Sequence, residues 1–287
     1  MVRIVTDSAS DIETNMIEEW EITCAPLSII MNDEVFKENV DISKTDFYER
    51  LIGSSDFPKT SQVPPHEFEA IFKKAKAAGD DVVAVLLSSS LSGTYQSAVN
   101  AARSVYGDNY EGEGCYLINS CSASAGELLL VEQAVILREE GKSAKEIADT
   151  ILHLCMDLRL YACVNTLEYL HRGGRISKVA AAIGSIVKVK PLLFVNQKGT
   201  PEIIARIRGQ QKAVRYLTEL LQHEIPDERY PIYLMYSYVD EAAQQLRKSL
   251  RLAGYQIRLK HLIHTGAVIG SHVGPNAFGL VYVRKNQ

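Results

Sequence analysis

The 287-residue chain carries 31 lysines and arginines against 35 aspartates and glutamates, a formal net charge of -4. That balance excludes broad electrostatic attraction to nucleic acid or to an anionic membrane surface, so any basic patch must be local. Apolar residues make up 46% and charged residues 23%, the composition of a globular protein rather than a disordered or fibrous one.

Such a length accommodates two modest domains, each with its own core. No apolar run is long enough to span a bilayer, and the chain enters Arg3-Ile4-Val5 without a secretory h-region, so a cytoplasmic protein is expected. The cysteines Cys24, Cys115, Cys121, Cys155 and Cys163 are scattered, mostly among apolar neighbours, and read as reduced core residues. None has CxxC spacing or a zinc-like histidine partner, so no metal is expected.

Along the first half, short β-rich runs alternate with helical stretches, the pattern of βαβ units and a mainly parallel sheet. Strands are expected at Arg3 to Thr6, Thr23 to Ile30, Asp81 to Leu87 and Cys115 to Asn119. Ser10-Asp11-Ile12-Glu13 and Ser143-Ala144-Lys145-Glu146 match the capping box at helix starts, and Pro65 suits another first turn. Gly79 and Gly141 follow the helical runs Phe68 to Ala78 and Glu127 to Glu140, where a left-handed residue ends a helix.

In the second half, a strand at Leu158 to Val164 precedes a helical Leu167 to Leu170 and the pair Gly173-Gly174. Runs Pro191 to Val195 and Glu202 to Ile207, joined near Lys198-Gly199, read as an antiparallel hairpin. Helix Gln210 to His223, strand Ile232 to Tyr238, helix Glu241 to Ala253 and strands Gln256 to Leu262 and Phe278 to Val283 follow. The expected fold is therefore α/β with two α/β domains, 1–156 with a mainly parallel sheet and 157–287 with a mixed or antiparallel one. Because no glycine-serine or proline-rich linker separates them, close packing around a cleft is expected.

Four polar segments lie at expected strand ends, where open α/β sheets bind ligands: Thr6 to Asp11, Lys59 to Gln62, Ser88 to Thr94 and Asn119 to Ser124. Ser8 and Ser10 are equally readable as helix caps or as anion ligands. In the loop Ser88 to Thr94, five hydroxyls surround Gly93, more than capping one helix requires, so this loop reads as a binding element. It lacks the lysine and spacing of a nucleotide P-loop.

Spacing alone makes the glycines of Arg172-Gly173-Gly174-Arg175 helix terminators. His272, within Gly270 to Pro275, and His264 can each be a structural hydrogen-bond partner or a ligand group. No serine sits in GxSxG and no cysteine has a cue for activation, so nucleophilic catalysis has no positive sign. Asp7 and Asp11 read as a loop anchor and a first-turn helix residue rather than a hydrolytic dyad.

Read together, TDSASD (from Thr6), KTSQ (from Lys59), SSSLSGTYQSA (from Ser88), NSCSASAG (from Asn119), LEYLHRGGRIS (from Leu167), KVKPLL (from Lys188) and GAVIGSHVGPNAFGL (from Gly266) span nearly the whole chain. In that order they resemble the DegV family of bacterial fatty-acid-binding proteins, some of which are the fatty-acid-carrying subunits of fatty acid kinase. The resemblance implies one long-chain fatty acid, such as palmitate or oleate, in an apolar interdomain tunnel, and no cofactor. Its carboxylate would lie at the mouth, on Thr60 or Ser61, Ser92 with Gly93 and Thr94, Arg175 and His272. Asn119, Pro64 and Asn276 depart from the usual family pattern.

The resemblance further implies a non-catalytic carrier that presents the carboxylate to a dihydroxyacetone-kinase-like kinase for conversion to acyl phosphate. Arg206 and Arg208, alternating with Ile207 near the end of a strand, are the expected docking residues, although an ordinary solvated strand edge explains the same alternation. The competing readings are a lipid-responsive regulator and a free-standing phosphotransferase or acyl hydrolase. The latter lacks a nucleotide loop, a metal constellation and an activated nucleophile.

Overall fold

The computed structural model describes residues 1–176 and 189–285. Ser177 of the LEYLHRGGRIS segment and Lys188 of KVKPLL lie outside the described residues.

A parallel sheet of four strands forms first: β1 (Val2–Asp7), β2 (Thr23–Ala25), β6 (Asp81–Leu86) and β7 (Cys115–Asn119), in the order β2-β1-β6-β7. Its helical crossovers include α1 (Thr14–Glu19) between β1 and β2, and α4 (Thr94–Tyr106) between β6 and β7. Side chains alternate across a strand, so both faces of β6 must be covered, and its run Asp81-Val-Val-Ala-Val-Leu86 is apolar at nearly every position. Val82, Ala84 and Leu86 pack toward α3 (Pro65–Ala78) and α4, whereas Val83 and Val85 face α5 (Ala125–Glu139).

The second sheet is mixed. In it β10 (Pro201–Arg208), β9 (Val189–Val195), β8 (Leu158–Cys163), β13 (Phe278–Val283), β11 (Tyr233–Tyr236) and β12 (Leu262–His264) lie in that spatial order, and only β11 and β12 run parallel. One face packs on α8 (Gln210–His223) and α9 (Glu241–Leu252) through Leu217, Leu221, Leu246 and Leu250. The other meets α5 and α6 (Ala144–Asp157). Helix α5 is thus wedged between the two sheets, which is why Ala125 to Val131 is buried without a break. A small antiparallel sheet, β4-β3-β5, carries β3 (Ser28–Met31), β4 (Glu34–Lys37) and β5 (Lys59–Ser61), with α2 (Lys44–Gly53) between β4 and β5. Among the described residues no helix is long and apolar enough to cross a membrane.

Several local expectations hold. Ser143 and Glu146 form a reciprocal capping box, Pro65 opens α3, and Gly79 ends it in the left-handed region. The β9–β10 hairpin turns at Gly199, whose N–H donates to the Asn196 carbonyl at 2.8 Å. Three expectations fail. Thr23 to Ile30 is not one strand: Pro26 offers no N–H for a ladder, the chain leaves the parallel sheet, and β3 joins another sheet. Ser10 does not cap a helix, because its hydroxyl donates to the Asp7 carbonyl at 2.8 Å and Asp11 is left-handed at φ 58, so α1 begins only at Thr14. The run Gln256 to Leu262 holds a short 3-10 turn, Leu259–His261, and β12 starts where residues register with β11, at Leu262.

Gly279 in β13 lies between β8 and β11, where an added Cβ would meet the Tyr161 carbonyl at 2.2 Å and the Met235 methyl at 2.8 Å. Gly279→Ala should lower the unfolding free energy by about 1–3 kcal/mol, as overpacked cores do. A urea midpoint equal to that of the parent protein would contradict this reading of the sheet.

Candidate functional site

The loops following β1, β6 and β7 come together at the carboxyl end of the parallel sheet. The buried Asp7 carboxylate accepts from the Ala9 N–H at 3.0 Å and the Leu87 N–H at 2.9 Å, joining the first two loops. Ser8 and Ser10 cap no helix: Ser8 Oγ accepts from the Leu27 N–H, and Ser10 binds its own loop. Asn119 accepts from the Ser89 and Cys121 N–H groups and donates to Ser89 Oγ, joining the second loop to the third.

The hydroxyl-rich segment Ser88 to Thr94 is mostly occupied by structure. Ser88 and Ser90 donate to the carbonyls of Gly199 and Lys198 in the β9–β10 turn, so this loop ties the two halves of the chain together. Buried Thr94 shares a hydrogen bond with Ser92 at 2.9 Å and starts α4. At Gly93 a Cβ would lie 2.0 Å from Gln62 Oε1, so the glycine admits the Gln62 side chain. Ser92 alone of this segment's hydroxyls faces the cavity that follows.

The space in and around that cavity comes to about 810 Å³, the open solvent at its mouth included. Leu27, Leu87 and Leu91 line it from the first half of the chain, Leu160, Leu193 and Met235 from the mixed sheet. Val268, Ile269 and Val273 on α10 (Ala267–Val273) close a further side. Its polar lining includes Thr60, Gln62, Ser92, Arg175 and His272. A polar surface hollow containing Lys59 and Arg172 shares Thr60, Arg175 and His272 with it, so these three stand between the apolar interior and solvent.

Each of the three has a structural reason for its place. Thr60 points inward from β5, while exposed Ser61, its neighbour, does not line the cavity. Arg175 follows α7 (Glu168–Arg172) and donates to the carbonyls of Leu91 at 2.9 Å and Gly173 at 2.5 Å. His272 Nε2 lies 2.8 Å from Thr60 Oγ1. Burial, with the Arg175 charge, pushes the His272 pKa down to about 4, so its ring is neutral near pH 7. Gly173 does more than end a helix: a Cβ there would lie 2.2 Å from His272 Nδ1. His264 is elsewhere, stacked on Tyr236 at 4.8 Å and on Tyr48 at 5.3 Å.

Exposed Arg206 and Arg208 share one face of the edge strand β10, with half-buried Ile207 on the other, and neither forms an ion pair among the described residues. The described residues contain no cluster of side chains suited to a metal ion.

Beside the cavity lies a buried acidic group that sequence reasoning missed in part. It joins Asp7 and Asp11 to Glu38 and Glu127. Burial raises Asp11 to about 6, Asp7 to about 7 and Glu38 to about 8, and holds Glu127 well above the carboxylate range. The signal for Glu127 was present: it is the one charged residue in the otherwise apolar run Ala125 to Val131, which is buried without a break.

Fold and cavity together define an α/β protein with an apolar chamber whose opening bears hydroxyls and an arginine. A family model described as an uncharacterised protein of the DegV family matches residues 1–285, and the chain belongs to that family. A DegV domain-containing protein of Caldanaerobacter subterraneus subsp. tengcongensis is 33% identical over 287 residues, covering 99% of both chains. Among solved structures, a fatty acid binding DegV family protein from Thermus thermophilus is 28% identical with a TM-score of 0.87. A stearic acid-binding protein from Eubacterium ventriosum is 26% identical with a TM-score of 0.89, and both matches cover 99% of each chain.

The buried carboxylates make stability depend on pH with a definite sign. Raised in the fold, they stabilise fully below the ordinary carboxylate range, and the contribution is lost as pH rises through about 6 to about 8. His261 and His272, both lowered to about 4, act in the opposite sense only below their ordinary value of 6.5. Between pH 6.5 and 8 the urea midpoint should therefore fall, and fall less in Glu38→Gln. A midpoint that rises over this range would refute the assignment.

Proposed function

We propose that the protein binds one long-chain fatty acid in the chamber and holds its carboxylate at the Thr60, Ser92, Arg175 and His272 end. The observation that carries this reading is a largely apolar lining that also bears Arg175, His272 and the hydroxyls of Thr60 and Ser92, three of which, Thr60, Arg175 and His272, also face the polar hollow outside. Residues 1–156 supply Thr60 and Ser92, and residues 157–287 supply Arg175 and His272, so the two proposed domains close on the ligand together. Thr60 takes the hydroxyl role in preference to Ser61, while Gly93 and Thr94 shape the Ser92 turn.

The energetics support a carrier. Burying about fourteen methylenes at ~0.8 kcal/mol each contributes on the order of 11 kcal/mol before association and ordering costs. The headgroup must then be paired rather than stranded. Arg175 supplies charge, and its hydrogen bonds to the described residues use Nε and Nη1, so among those residues Nη2 is left for a carboxylate. Mass spectrometry of lipid extracted from freshly purified protein tests the reading. A long-chain fatty acid is the expected result; empty protein that also takes up neither palmitate nor oleate refutes it.

Headgroup contacts should be separable from the fold. Arg175→Ala should weaken palmitate binding by about 2–5 kcal/mol and Ser92→Ala by about 0.5–1.5 kcal/mol, with little change in thermal midpoint. Equal affinity in both variants places the headgroup elsewhere.

We further infer that the bound carboxylate is presented to a dihydroxyacetone-kinase-like kinase, which converts it to acyl phosphate. The protein itself is the non-catalytic subunit. The polar hollow outside Thr60, Arg175 and His272 supports this, because it gives a partner access to the headgroup. Arg206 and Arg208 form the proposed docking edge. Replacing both with glutamate should reduce coupling to the cognate kinase without changing fatty-acid content; an undiminished rate of acyl phosphate formation would remove the docking assignment.

A further inference from the structure

Helix α10 carries His272 and three of the apolar groups that line the chamber, yet its amino-terminal end is held by side chains from the first fifty residues. Asp11 Oδ1 accepts from the Gly266 N–H at 2.8 Å, and Glu38 Oε1 accepts from the Val268 N–H at 2.8 Å. The Tyr48 hydroxyl donates to the Thr265 carbonyl at 3.0 Å. All three side chains are buried.

The fit leaves no slack. A Cβ on Gly266 would lie 2.5 Å from Glu38 Oε1 and 2.7 Å from Asp11 Oδ1, and one on Gly270 would lie 2.5 Å from the Tyr48 hydroxyl. Gly266, just before α10, and Gly270 within it thus both lie against these groups. Val268, Ile269, His272 and Val273 reach the chamber. Asp11 touches the chamber by a second route, since its Oδ2 accepts from the hydroxyl of Ser124, itself a lining residue. Lys44 completes the group, donating to the Asp11 carbonyl at 3.0 Å and to Glu13 at 2.7 Å.

We propose that Asp11, Glu38 and Tyr48 are positioning residues for the headgroup end of the chamber: by fixing the start of α10 they set where His272 meets Thr60 and where the helix walls the ligand. The proposal rests on the fatty-acid reading for its ligand, but the placement of His272 stands independently of it. Without these anchors the buried N–H groups of Gly266 and Val268 and the buried Thr265 carbonyl would lose these partners, which the fold cannot tolerate in place. The helix then moves, and His272 with it.

Glu38→Ala and Glu38→Gln separate positioning from bulk stability, because glutamine keeps an oxygen for the Val268 N–H. In the full chain, Glu38→Ala should weaken palmitate binding by about tenfold, the equivalent of one lost buried hydrogen bond. It should also shift the His272 ring ¹⁵N resonances of ligand-free protein. Glu38→Gln should stay within about threefold of the parent protein, with those resonances unmoved. Folded Glu38→Ala with unaltered affinity and unaltered His272 resonances would overturn the proposal. If that variant does not fold, Tyr48→Phe removes only the hydroxyl on Thr265 and is read in the same way. Failure of the parent protein to bind palmitate would overturn the ligand reading instead, while the ligand-free His272 resonances would still decide the positioning.

Discussion

A buried carboxylate accepting two backbone N–H groups from different loops is the constraint on which the rest of this structure depends. Asp7 has no solvent exposure, and its oxygens satisfy Ala9 of the first loop and Leu87 of the second. Backbone groups in loops at a covered sheet end have no ladder partners and no water, so side chains must satisfy them. The Thr6 to Asp11 segment meets that need in several directions at once. Ser8 reaches Leu27, Asp11 reaches Ser124 and Gly266, and the Asp11 carbonyl receives Lys44.

Once that end is fixed, the chamber follows from packing. Helix α5 separates two sheets whose apolar faces both need cover, and the chamber opens where the loops, α10 and the mixed sheet meet beside it. Most of the hydroxyls in the conspicuous serine loop satisfy backbone, and the few groups left facing the chamber are chosen by direction. Thr60 and Ser61 are chemically alike, but alternation along β5 turns only the first inward. Arginine and hydroxyls at the opening of a mostly apolar space suit an anionic headgroup attached to an apolar body, which is the basis of the proposed ligand.

Two electrostatic environments stand close together in the fold. At the Arg175 end of the chamber burial, with the arginine's charge, keeps His272 neutral, whereas the carboxylates behind α10 hold their protons into the neutral range. Desolvation dominates both, disfavouring charge on histidine and on carboxylate alike. The helix between them thus joins a proton-retaining anchor at one end to a chamber-facing imidazole at the other.

Much of this was legible in the chain. The apolar run of β6, the Ser143–Glu146 box and the β9–β10 turn are local patterns whose partners lie within a few residues or follow from a period of two, and they appear where expected. The motifs around Thr60, Ser92, Arg175 and His272 also marked segments that meet at one place. What only the tertiary structure decided were contacts made across long separations. The sequence could not show that Pro26 would divide one expected strand between two sheets, or that Ser88 and Ser90 would be occupied by the distant β9–β10 turn. Nor could it show that Asp11 and Glu38 would hold a helix more than two hundred residues away. Local propensity sets which bonds a residue prefers, but a buried polar group takes the partner that packing brings within reach, and that partner is decided only when the whole chain has folded.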